Sequence, residues 1–246
     1  MAGLTNYGNT CYLNSCIQVL RYARPIVTQL LRTKPKDPFL RHFVELLFID
    51  PAEEHLKYVA AHTDRIGLSR FRQCDAHECL LQILDLMHDE GTDVFRGTMT
   101  THVICCECRN VSSSKTPFHT LSLAMAPSVK DALEAFTQPE KVDHTCEACG
   151  HGRATKYTTV TPNKVLIVHL KRFTKSRKRT DKIRLTPLNG KKIIASINHT
   201  GELGYGHYTA ACRKQDGTWI YCNDEVVTPM DGIPESSELP YVLVYA

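Results

Sequence analysis

Two stretches far apart in the chain carry side chains able to attack a carbonyl. The first reads Gly3-Leu4-Thr5-Asn6-Tyr7-Gly8-Asn9-Thr10-Cys11-Tyr12-Leu13-Asn14-Ser15-Cys16. Leu13, Cys16, Ile17 and Leu20 fall on the i, i+3, i+4, i+7 stripe of an amphipathic helix, and the glycines and asparagines before it read as turns. Thr10 is expected as the N-cap, so Cys11 opens the helix. There the positive end of the helix dipole favours thiolate. The second stretch reads Gly204-Tyr205-Gly206-His207-Tyr208-Thr209-Ala210, followed by Trp219-Ile220-Tyr221-Cys222-Asn223-Asp224-Glu225-Val226. A cysteine first, a distant histidine and an Asn or Asp soon after is the order of a Cys-His-Asn/Asp hydrolase. A buried structural cysteine is the plainer fate of Cys11 taken alone.

A second constellation lies between them. Cys105 and Cys108 form one CxxC pair, and Cys146 and Cys149 another. Such pairs turn two thiolates towards one ion, and four thiolates satisfy tetrahedral Zn²⁺. The long separation means an insertion sits between the knuckles. Surplus core thiols are the alternative reading. Cys106 is left over, and His144 and His151 are spare ligands by type. A module with little core of its own would draw on the order of 10 kcal/mol of folding free energy from the metal.

These groups need elements to hold them. Asp37-Pro38 starts a helix with a stripe at Leu40, Phe43, Val44 and Leu47, ending near Asp50-Pro51. A short helix past Pro25 and a weaker one over 53–61 are also expected. Gln73-Cys74-Asp75-Ala76-His77-Glu78-Cys79-Leu80 opens the clearest helix, with Asp75 and Glu78 at capping-box spacing. After Phe95 strands take over: 97–104, 118–124, 153–161, 165–173, 191–198, 208–213, 219–222 and 241–245, with one helix capped by Ser128. The apolar run at 165–170 reads as a strand buried on both faces, with His169 structural rather than catalytic. Helices first and strands later give an α+β fold in one domain. Residues 171–184 carry eight basic side chains and one acid, read as a solvated loop with a nuclear-import signal or a phosphate contact as the alternative.

Bulk properties narrow the classes. A chain of 246 residues is long enough for a sizeable core. No apolar run is long enough to span a membrane. Met1 leads straight into the cysteine stretch, which leaves no room for a leader peptide. Eleven cysteines, an odd number with CxxC pairs, argue for a reducing compartment and an intracellular protein, cytoplasmic or nuclear. A net charge of +4 makes no case for nucleic acid.

Together these stretches resemble the ubiquitin-specific proteases, the deubiquitinating cysteine peptidases, over nearly the whole chain. The Cys11 stretch is similar to their Cys box and 204–224 to their His box. The resemblance implies a papain-like catalytic domain: a helical thumb over 1–93, mainly zinc-ribbon fingers over 94–161 and mainly β palm over 162–246. It implies hydrolysis of the bond after ubiquitin's C-terminal glycine, with Cys11 as nucleophile, His207 as acid–base and Asn6 as oxyanion donor. Asn223 would orient His207, with Asp224 able to take over. Strand alternation lets only one of the two face the imidazole. Asp75 and Glu78 would meet the arginines of ubiquitin's tail, while Gly206 and Tyr208 shape its channel. Cys79 stands where the family usually places Phe. The expected cofactor is structural Zn²⁺, none serves catalysis, and the partners are ubiquitin and ubiquitinated proteins, with no membrane. Another ubiquitin-like modifier, or a non-catalytic ubiquitin-binding zinc-ribbon protein, are the alternatives.

Overall fold

The helix that opens at Cys11 is sunk into the molecule. A computed structural model describes residues 3–23, 35–49 and 52–246. In it, α1 (Cys11–Tyr22) is buried at every residue from Cys11 to Arg21, wedged between other helices and a sheet. The apolar stripe alone does not explain that. The polar face is buried too, because Asn14, Gln18 and Arg21 find partners inside. Beside it stand α2 (Pro38–Phe48), α3 (Glu53–Ala61) and α4 (Ala76–Asp89), with a 3₁₀ turn over Thr63–Ile66. Asp37 caps α2 by accepting from Leu40 N–H at 3.0 Å, with Pro38 in the first turn. The helix expected past Pro25 and the stop at Asp50-Pro51 lie outside the described residues.

Strands follow from residue 97. The large sheet has the order β11-β10-β9-β8-β13-β6-β3, from β3 (Thr120–Ala124), β6 (Leu166–Lys171), β8 (Ile193–Glu202), β9 (Tyr205–Arg213), β10 (Trp219–Asn223), β11 (Val226–Met230) and β13 (Pro240–Tyr245). Only the β3–β6 pairing is parallel. Its central strands are buried on both faces, as the apolar run predicts. Ile167, Val242 and Val244 face the helices, whereas Leu166, Val168, Leu243 and Tyr245 face a second core beneath α5 (Val129–Thr137). Ser128 caps α5 by accepting from Asp131 N–H.

A narrower sheet of order β2-β1-β5-β4 stands apart, from β1 (Gly97–Cys105), β2 (Val111–Phe118), β4 (Glu140–Asp143) and β5 (Arg153–Thr161). Strand β2 was not foreseen. Its Ser-Ser-Ser run carries no apolar alternation, and it is an edge strand exposed along nearly its whole length. The stretch 94–161 also lends β3 to the large sheet. Finally β7 (Ile183–Arg184) pairs with β12 (Ser236–Ser237).

The basic tract is not simply solvated. Arg172 is fully buried, donating to the carbonyls of Pro240, Ser237, Arg179 and Asp181. Lys178 donates to His199 and Gly201 carbonyls, and Arg179 pairs with Asp181. His169 is structural as expected. It stacks on His77 at 3.8 Å between centroids, where α4 meets the large sheet.

Candidate active site

The N-terminal stretch and the turn after β10 are stitched together. Leu4 N–H donates to the Asp224 carbonyl at 2.8 Å. A Cβ on Gly3 would sit 2.0 Å from the Glu225 carbonyl oxygen, so that approach requires glycine. Thr10 stands before α1 but does not cap it with its side chain. Its hydroxyl accepts from Tyr7 N–H and donates to Asn6 Oδ1. The turn preceding the helix has captured the cap.

Cys11 therefore opens α1, in the first turn, held against Tyr208 of β9. Burial pushes its thiol above the ordinary range. A backbone hydrogen bond at Tyr208 opposes this, and the Asp224 charge adds to it.

His207 on β9 donates from Nε2 to Asn223 Oδ1 at 2.7 Å. That fixes the proton on Nε2 and leaves Nδ1 as the basic nitrogen. Asp224 lies 3.8 Å from the same Nε2, too far for a hydrogen bond. The expectation that strand alternation would admit only one of the two needs correcting. Asn223 ends β10, and Asp224 sits in a two-residue turn before β11 with φ 47°. Off the strand, both side chains reach the site. They reach different groups: Asp224 Oδ2 accepts from Asn6 Nδ2, and Oδ1 from Asn14 Nδ2, each at 2.8 Å. Asn6 Oδ1 accepts from Thr10 N–H and hydroxyl. The Asn6 amide is thus locked, with one N–H spent on Asp224 and the other free. Asn14 drew no notice in the sequence, although i+3 from Cys11 put it on the neighbouring helix face.

Beside these groups runs a cleft of about 230 Å³ lined by Gln73, Asp75, Phe173, His199, Tyr205 and Tyr208 among others. Gly206 packs against the cleft-lining His199, whose ring any Cβ there would meet at 2.3 Å. Gln73 spans the cleft: its amide donates to the Gly206 carbonyl at 2.8 Å and accepts from Gly206 N–H at 2.9 Å. Asp75 is the N-cap of α4, with Oδ1 accepting from His77 and Glu78 N–H. Its Oδ2 accepts from the Tyr241 hydroxyl at 2.6 Å, a contact from the last strand that no local pattern announces. Glu78 is exposed one turn on. Cys79 is fully buried. Burial keeps it protonated, with Cys16 adding to the effect.

Four thiols meet at the far end of the narrow sheet. The Sγ atoms of Cys105, Cys108, Cys146 and Cys149 all lie within 4.8 Å of one another. The Cys105–Cys149 and Cys108–Cys146 separations are both 3.7 Å. Four sulfurs at Zn–S bonds near 2.3 Å stand roughly 3.8 Å apart along a tetrahedron's edges, so the donor set suits a metal ion of that size. Each knuckle turns through a left-handed residue, Arg109 at φ 62° and Gly150 at φ 72°. Cys106 lies outside the cluster, beside Thr155 and Lys141.

The arrangement is that of a thiol hydrolase with a separate cluster of four cysteines able to hold a metal ion. The ubiquitin carboxyl-terminal hydrolase family model matches residues 2–245, and the chain belongs to that family. It is 30% identical to ubiquitin carboxyl-terminal hydrolase 23 of Arabidopsis thaliana, over 99% of this chain and 35% of that protein. It is 28% identical to human ubiquitin carboxyl-terminal hydrolase 17-like protein 15, over 99% and 53%. The chain thus spans between about a third and a half of the length of these relatives. Its fold is similar to a chain of the SAGA DUB module of Ubp8, Sgf11, Sus1 and Sgf73 bound to monoubiquitin: TM-score 0.85, 22% identity, 100% of this chain and 68% of that one. The same module bound to ubiquitin aldehyde gives a TM-score of 0.84 at 22% identity, over 100% of this chain and 69% of that one.

Proposed function

We propose that this domain is a thiol deubiquitinase that cleaves the peptide or isopeptide bond after ubiquitin's C-terminal glycine. The observation carrying this reading is that His207 bonds Asn223, Asp224 holds Asn6, and Cys11 sits beside Asp224 and against Tyr208, which lines the adjoining cleft. Cys11 attacks the glycine carbonyl while its proton passes to Nδ1 of His207. The free N–H of Asn6 and the Cys11 backbone N–H receive the oxyanion, worth about 2.7–4 kcal/mol per donor. The C–N bond then breaks, and His207 gives its proton to the departing amine. Water, deprotonated by His207, hydrolyses the thioester and restores the thiol. Asn223 orients the imidazole throughout. Burial and Asp224 both favour the protonated thiol, and on this reading His207 takes that proton as attack begins.

The role of Asp75, with Glu78 beside it, is to draw in the arginines of the ubiquitin tail. Gly206 and Tyr208 wall the passage for the two glycines. We assign 1–93 to a helical thumb, 94–161 mainly to fingers and 162–246 mainly to a palm. Cys105, Cys108, Cys146 and Cys149 are the residues that would hold Zn²⁺, which supplies a cross-link between the two finger turns and no chemistry at Cys11. The partners on this reading are ubiquitin and ubiquitinated proteins of the cytoplasm or nucleus. No helix among the described residues is long and apolar enough to cross a membrane.

The test is reaction with a ubiquitin C-terminal electrophile, compared with the same group on other ubiquitin-like modifiers. The parent is expected to label on ubiquitin, and Cys11→Ala to lose both labelling and hydrolysis while still binding ubiquitin. Turnover by the Cys11→Ala protein would remove the nucleophile from this scheme.

A further inference from the structure

The loop leading into α4 carries Arg70, Phe71 and Arg72, which the scheme above does not use. Phe71 is 78% exposed, more than any other large hydrophobic side chain among the described residues. The loop beneath it is pinned. Asn9 N–H donates to the Arg70 carbonyl at 2.8 Å, and Phe71 N–H to the Ser69 hydroxyl at 3.2 Å. Gly8, at φ 109°, leaves only 2.8 Å between any Cβ and that same carbonyl oxygen. The Arg70 guanidinium lies 4.7 Å over the Phe71 ring. Neither Arg70 nor Arg72 has an acidic partner among the described residues.

The course of the loop says which side of the site this knob serves. Asp75, Cys74 and Gln73 line the cleft. Gln73 crosses to Gly206. Reading back from there, Arg72, Phe71 and Arg70 lead to the turn just before Cys11. On the deubiquitinase reading a tail in the cleft with its carbonyl at Cys11 has its leaving group beyond that crossing, and the bond from Asn9, two residues before Cys11, to the Arg70 carbonyl brings this loop to that side. We propose that Arg70, Phe71 and Arg72 form a docking surface for the leaving-group protein, fitting a surface on which apolar and acidic residues flank the modified lysine. This rests on the deubiquitinase reading. Aromatic and arginine side chains on a preformed loop carry much of the energy in protein interfaces, because little ordering remains to be done on binding. Two unpaired guanidiniums select for acid. Such a surface leaves attack on the ubiquitin carbonyl untouched and biases which conjugates are presented to it.

The experiment uses three substrates: ubiquitin carrying a small fluorogenic amide, and ubiquitin isopeptide-linked to the central lysine of two nonapeptides. One nonapeptide has leucine and aspartate around the lysine, the other serine and lysine. The parent is expected to favour the acidic–apolar conjugate by about tenfold in kcat/KM, the size of one good interface contact, and less so at high salt. Phe71→Ala and Arg70→Glu should each erase most of that preference while leaving the small amide within about twofold, the variation expected at a surface site. Equal rates on both conjugates by the parent overturn the proposal. So does an equal fall on the small amide, which puts the loop in the ubiquitin-tail path instead. A parent that cleaves no ubiquitin substrate overturns the deubiquitinase reading itself, and the docking surface falls with it.

Discussion

Asn223 and Asp224 are neighbours with separate tasks, because the turn between β10 and β11 frees Asp224 from strand alternation. Asn223 holds His207 and Asp224 holds Asn6. Asn223→Ala should therefore lower kcat by about a hundredfold, the usual scale of acid–base catalysis, while Asn223→Asp keeps activity because a carboxylate accepts the same N–H. Asp224→Ala should cost a similar factor by another route, through a loosened oxyanion donor. The two routes separate in a double-mutant cycle: Asp224→Ala and Asn6→Ala should be strongly non-additive, whereas Asp224→Ala and Asn223→Ala should come closer to adding. Additive losses at 6 and 224 would sever the link between them. The Asp224 charge also raises the Cys11 thiol. Asp224→Asn should hence move the alkylation midpoint of Cys11 to lower pH. Cys11, His207 and Asn223 were legible as residue types in family order; that Asn223 bonds His207 while Asp224 bonds Asn6 was not, because it depends on where a strand stops.

At the scale of elements, helices with a clear stripe and a strong cap were plain in the sequence: α2 begins at Asp37-Pro38, and α4 at Asp75. Strand β2 was hidden because neither of its faces is dry. A sheet so wet needs another source of stability, and the four-cysteine cluster at its end is the candidate. Prepared without chelator, the protein should carry one Zn²⁺ per chain. Cys146→Ser should lower both metal content and Tm, and a chelator should reproduce the effect in the parent but not in the variant. Metal-free protein with an unchanged Tm would end that assignment. Asp75 serves two elements at once, capping α4 and accepting from Tyr241 on β13. Asp75→Asn keeps a capping oxygen but loses the charge. It should raise KM for ubiquitin substrates more than it lowers kcat, with a shallower salt dependence. Asp75→Ala should in addition cost about 1 kcal/mol of stability. An unaltered KM in the Asn variant would leave Asp75 a helix cap alone.

For the whole molecule, the seam between helices and large sheet is one place where pH acts, beside His199, which burial also lowers, to about 4. His77 and His169 stack across the seam, bonded to Thr120 and Ser122. Burial, with His77 nearby, holds His169 down at about 3, and burial lowers His77 as well. In the unfolded chain both titrate near 6.5. Between those values the unfolded state binds more protons, so stability falls as pH drops from 6.5 towards 3, by up to about 1.4 kcal/mol per unit for each fully shifted histidine. Urea melts at pH 7, 5.5 and 4.5 should show that loss, and His169→Gln should flatten it. Identical slopes would place the acid sensitivity elsewhere. Asn6 and Asp224, joined by a hydrogen bond, are 218 positions apart. On the deubiquitinase reading, a version of this domain cut before β9 would keep Cys11 but lose His207, Asn223 and Asp224 together, and is expected to be inert rather than a rogue hydrolase.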